Sequence, residues 1–293
     1  MGCAASAIVA PEMQQDDDGE CSFNLFVVVE KLRLVAYCLF GLVLLVAFIL
    51  TKAFVNVPED NFLGRVFGTT NSCIILDFPP VTYVAPALWV GGPMLAFLAY
   101  CAASAVRARI AQAEKKISAR ALRSLNSAYG FTAFCLVCFT TCFATSPDED
   151  KPVTMVIHTL SFTALMVAFA ALQTAVWWFG AHVGWKEAKL PGWYEPAAFA
   201  HVVLQWIFTV AKAFIHVNGL ADMNGSAGRG KWFRVRNAVA MAKVLDICWM
   251  VLAVVIPTIQ SAHLTHIGLG THGVLVKLSD NRRAQPGAVP KAV

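Results

Sequence analysis

Charge is what this chain has least of. Asp, Glu, Lys and Arg make up 14% of its 293 residues, against 58% that are hydrophobic. No arrangement of that composition gives one apolar core inside a charged shell, so a soluble globular protein is excluded. Signatures of catalysis are also missing: there is no Gly-rich phosphate loop, nucleophile elbow, zinc-protease helix or kinase motif. No enzymatic activity and no cofactor is expected. Residues 1 to 23 offer only a short apolar patch, AIVA, followed by the acidic DDDGE and no basic leader. A cleaved signal is therefore not expected, and the N-terminus should stay cytoplasmic.

A disulfide framework is lacking as well, although cysteines are present. Cys38, Cys101, Cys135, Cys138, Cys142 and Cys248 lie within apolar runs, Cys3 and Cys21 lie before them, and only Cys73 would face outward. One outward thiol cannot close a bridge within the chain.

What the sequence does have is long apolar segments. Crossing about 30 Å of hydrocarbon at 1.5 Å per residue takes about 20 mostly apolar residues. Six segments qualify: Leu34 to Thr51, Tyr83 to Val106, Ser124 to Ala144, Val153 to Val183, Ala197 to Val217 and Ala238 to Ala262. The fold expected is all-α, a polytopic membrane bundle of six transmembrane helices with both termini cytoplasmic. Residues 1–31 form an acidic tail, 32–262 the membrane domain and 263–293 a second cytoplasmic tail.

Basic residues support that orientation, because Lys and Arg in short loops are retained on the cytoplasmic side. Lys31 and Arg33 precede the first segment, and the stretch 107–123 carries Arg107, Arg109, Lys115, Lys116, Arg120 and Arg123. With no Gly or Pro between Ala105 and Asn126, that stretch is expected to extend the second and third spans as a helical hairpin. One loop breaks the rule: GRGKWFRVRN, with Arg229, Lys231, Arg234 and Arg236, would face outward. Either the outer surface has a basic patch or one late segment does not span. In the second span, WVGGPM removes a backbone donor at Pro93 and predicts a kink. Trp177, Trp178, Trp185, Trp193 and Tyr194 read as an interfacial aromatic belt.

The chain opens MGCAAS, which fits M-G-x-x-x-[ST] for myristoylation of Gly2, with Cys3 placed for palmitoylation. Over these six residues the chain resembles the acylated tails of Src-type kinases and G-protein alpha subunits. For a protein already held by six spans, acyl chains would set position or sorting and add little to membrane affinity.

The fifth segment carries the main constellation. His201, Gln205, Thr209, Lys212 and His216 are spaced four, four, three and four apart, which at 100° per residue confines them to an arc of about 80°. Ionisable groups at membrane depth normally face a protein interior or a water-filled path. Asp246 in the sixth segment lies at a depth that allows contact with Lys212. The stripe reads either as a proton, ion or small-anion pathway, or as a structural ion pair with interfacial imidazoles.

Cys135, Cys138 and Cys142 share one helical face, where close helix packing is expected rather than a metal. His263, His266 and His272 lack a neighbouring carboxylate or thiol, and the spacing of His158, His182, His201 and His216 does not suit haem. No metal site is expected.

Two functions remain. The first is a non-catalytic organiser or scaffold of a membrane domain, acting through lateral helix association. Its expected partners are the lipid bilayer, anionic lipid headgroups, a membrane or cytoskeletal protein and a second copy of the chain, with no nucleic acid. The second is a transporter or channel using the stripe with Asp246. The sequence alone places the organiser narrowly first.

Overall fold

The computed structural model describes residues 9–15, 21–55, 76, 78–144, 152–185, 190–222, 238–267 and 273–279. Six helices are long and apolar enough to cross a membrane: α1 Val29–Phe54, α2 Val81–Ala113, α3 Ala119–Phe143, α4 Val153–Gly184, α5 Tyr194–Leu220 and α6 Lys243–His266. The helix that contains α6 begins at Ala238. The bundle is all-helical, and the chain reads as a multi-pass integral membrane protein. Gly2 and Cys3 lie outside the described residues.

Each helix packs on the next, and α6 returns to α1, which closes the ring. Helix α4 occupies the middle, since 61% of its most apolar window is buried against 33 to 39% for the other five. It carries no Asp, Glu, Lys or Arg. Its Phe169 meets Tyr37, Phe40 and Phe97 at ring-centroid distances of 6.2, 5.6 and 5.4 Å. Leu42, Leu45, Phe48, Phe134, Ile207 and Val210 point outward and are exposed. That apolar exterior suits lipid, as water would penalise it.

Two sequence features shape the backbone directly. At Pro93 the missing N–H coincides with a π-helical turn over Val90–Met94, where the sequence predicted a kink. The predicted hairpin between α2 and α3 forms, but through a tight break. The Lys116 N–H bonds the Ala111 carbonyl at 2.9 Å and the Lys115 N–H bonds that of Gln112 at 3.0 Å. Lys115 stands in the left-handed region at φ 59°, completing a Schellman end at a position that usually holds Gly. Ser118 then caps α3, its Oγ accepting from the Ala121 N–H at 3.2 Å.

Outside the bundle, strands β1 Val9–Gln15, β2 Cys21–Val28 and β3 Gly273–Ser279 pair antiparallel in that order. In this register Val9 is opposite Val27, and Val28 is opposite Gly273. Because β2 runs straight into α1 and β3 follows α6, the chain enters and leaves the bundle at one end. An even number of spans requires this. We call it the basic end, since the α2–α3 turn lies there too.

Candidate functional site

Helix α5 is built inside out relative to a soluble helix. Val203, Leu204, Ile207, Val210, Phe214 and Val217 are exposed, whereas His201, Gln205, Thr209, Lys212 and His216 are all buried. The stripe therefore turns inward, toward α4 and α6. From His201 to His216 it rises about 22 Å along the helix.

Its half far from the basic end centres on a buried ion pair. Lys212 Nζ bonds an Asp246 carboxylate oxygen, and the same Nζ lies 5.1 Å from the centroid of Phe162 and 5.2 Å from that of Trp249. One anion and two aromatic faces thus share the ammonium charge. Trp249 Nε1 donates to Thr209 Oγ1 at 3.2 Å, which ties the pair back to the stripe. Toward the same far end, His216 Nδ1 is 2.8 Å from Thr163 Oγ1, while the Thr163 hydroxyl donates to the Thr159 carbonyl at 2.7 Å. With the one hydroxyl proton committed, His216 must be the donor, which fixes its proton on Nδ1. Lys243 is exposed and takes no part in the ion pair.

The other half is a network that the sequence reading did not find. Arg33, counted there as a topology signal, is 1% exposed. Its Nη1 is 3.4 Å from a Glu30 oxygen, and its Nη2 donates to Gln260 Oε1 at 3.1 Å and, more weakly, to Gln173 Oε1 at 3.5 Å. Gln173 in turn donates to the Tyr37 hydroxyl. Arg107 Nη1 lies 3.8 Å from the second Glu30 oxygen. Gln260 Nε2 is 3.4 Å from His201 Nδ1, joining this network to the stripe.

A proline-linked break in α6 anchors His201. Residues Val251–Val255 form a π-helical turn in which the Ile256 N–H bonds the Val251 carbonyl, five residues back. The matching donor for the Leu252 carbonyl would be residue 257, which is proline and has no N–H. His201 Nε2 supplies the missing donor at 2.8 Å. This puts the His201 proton on Nε2 and leaves Nδ1 to accept from Gln260.

Between the halves sits Gln205, 0% exposed, with neither amide atom hydrogen-bonded among the described residues. A small cavity of about 30 Å³ adjoins the basic-end network; Glu30, Tyr100, Ser104, Arg107 and Tyr129 are among its lining residues. Its volume suits one or two water molecules. Trp185 closes one side by lying over Gly180, where an added Cβ would come within 2.2 Å of the indole.

The remaining sequence-predicted residues divide. Arg109, Lys115, Lys116, Arg120 and Arg123 are exposed at the basic end, with Lys116 3.0 Å from Glu114. Arg107 is set apart from them, half-buried with its guanidinium 5.0 Å from the Phe179 centroid. Of the aromatic belt, Trp193 is exposed, but Trp185 and Tyr194 are buried and meet edge to face at 5.0 Å. They pack the basic end and do not face headgroups. Cys135 and Cys142 are buried against neighbouring helices, and no group of three metal-ligating side chains gathers among the described residues. No family profile, curated protein or solved structure matches the chain.

Proposed function

We propose that the protein moves protons across its membrane along the buried row from Glu30 and Arg33 through His201 to Lys212, Asp246 and His216. One observation carries this reading: every polar residue of the α5 stripe faces the interior, and His201 joins the stripe through Gln260 to a second buried network near the basic end. An apolar row would serve a purely structural bundle as well or better, since replacing buried ion pairs with packed apolar residues is often neutral or stabilising. Retaining ionisable groups at this depth is the mark of a relay or binding site.

The geometry favours a proton over a larger species, because the stripe is packed against α4 and α6 and the cavity beside the basic-end network holds only about 30 Å³. His201 accepts a proton at Nδ1 when the weakly held Gln260 amide swings aside. The imidazolium, once turned from the Leu252 carbonyl, gives its Nε2 proton to a water molecule held by the Gln205 amide. The Lys212–Asp246 pair acts as the lock. Protonation of Asp246 removes the anion that holds Lys212, freeing the ammonium to shift between the faces of Phe162 and Trp249. We place the basic end on the cytoplasmic side, following the positive-inside distribution of the sequence.

The test is proton flux into vesicles containing the purified protein, driven by an imposed potential and read by an entrapped pH-sensitive dye. Wild type should acidify the lumen faster than protein-free vesicles, and a folded Lys212→Met/Asp246→Leu double variant should not. Equal rates for wild type and empty vesicles would remove the transport reading. The organiser reading would then stand first, supported by the exposed basic side chains around the α2–α3 turn.

A further inference from the structure

A second concave feature lies on the outside of the bundle, away from the row. Helices α3, α4 and α5 enclose an open groove of about 460 Å³ whose lining runs from Ser118 to Ala128 on α3 and from Ala171 to Trp178 on α4. On α3 that span is about 15 Å, enough to lead from headgroup level into the hydrocarbon. Small side chains make it deep: Ala121, Ala128, Ala171 and Ala175 leave the helix surfaces bare. Trp178 and Trp206 form its sides.

The groove is polar at one end only. Deeper in, Thr174 Oγ1 donates to the Ala170 carbonyl at 2.8 Å and accepts from Trp206 Nε1 at 2.9 Å. That pins the indole as a wall and uses the hydroxyl internally. At the mouth, Arg120 is exposed and makes no ion pair among the described residues. An occupant must therefore be apolar along its length and anionic at its tip.

We propose that this groove holds one anionic phospholipid of the surrounding leaflet, with an acyl chain between Trp178 and Trp206 and its phosphate on Arg120. A single cationic contact near an anionic surface contributes a selectivity of about fivefold. A neutral lipid would fill the apolar part but leave Arg120 without a counter-charge.

The experiment is native mass spectrometry of the full chain, purified in neutral detergent and offered equal amounts of phosphatidylglycerol and phosphatidylcholine with matched chains. Wild type should retain one phosphatidylglycerol about fivefold in preference to phosphatidylcholine. Arg120→Gln, a change at an exposed site that should not disturb folding, should retain either lipid without preference, and Ala171→Phe, which fills the groove, should retain neither. No retention by wild type, equal retention of the two lipids, or an Arg120→Gln variant that keeps the preference would overturn the assignment. So would a dimer whose formation Ala171→Phe abolishes, since the occupant would then be a second copy. If Ala171→Phe does not fold, the Arg120→Gln comparison decides alone.

Discussion

Both halves of the buried row contain opposite charges, yet they hold them in different ways. Arg33 is spread over Glu30, Gln173 and Gln260, with Arg107 as a second cation on Glu30 and a water-sized cavity alongside. Lys212 has Asp246 and two aromatic faces. The first arrangement is redundant, so losing one partner leaves others in place. The second is a lock built on one direct ion pair, and breaking it is costly because an uncompensated ion in a low-dielectric interior is far costlier than the pair is valuable.

That contrast predicts its own largest effect. Lys212→Met or Asp246→Leu alone should destabilise the protein by about 3 to 5 kcal/mol, since each strands a buried charge. The double variant should recover most of the loss in a thermal or denaturant melt. If the double variant falls by the sum of the two single losses, the residues do not act as a pair.

Arg33→Met should cost less, about 1 to 3 kcal/mol, because Arg107 remains near Glu30 and the two glutamines can turn toward each other. A loss as large as that of Lys212→Met would erase the distinction between the halves. Smaller still, at about 1 to 2 kcal/mol, is Gly180→Ala, whose Cβ must push the Trp185 indole aside. Trp185 is exposed by only 8%, so a red shift of its fluorescence would report its displacement.

The same contrast explains what was legible in the sequence. Six apolar runs fix six helices because hydrocarbon thickness sets a length that no short core helix reaches. The α5 stripe was readable because a 3.6-residue period placed its members on one face. Arg33 was not, because a cation next to an apolar run reads equally well as a topology signal, and only the return of α6 to α1 brings Gln260 to it. The α6 break was hidden too: Pro257 marks it, but its consequence, a free Leu252 carbonyl, depends on a π turn that periodicity does not show. Trp185 and Tyr194 misled for a related reason. Aromatic residues at a helix end are anchors only if they face lipid, and packing decides that.

Gln205 gives the smallest change in stability and the sharpest separation of functions. Its amide is buried without a hydrogen-bond partner among the described residues, and such an orphan costs about 1 to 3 kcal/mol relative to a satisfied group. Gln205→Leu keeps similar volume and removes the polar atoms, so stability should stay level or rise by about 1 kcal/mol. In a purely structural bundle nothing else follows from the change. In a proton relay, Gln205 stands between His201 and Thr209 on the way to the lock, and an apolar side chain there interrupts the row. The variant should then melt no lower than wild type yet pass protons more slowly in the vesicle assay. Full flux from a stable Gln205→Leu protein would mean that protons do not travel along this face of α5, and the amide would be left as a packing residue between two charged clusters.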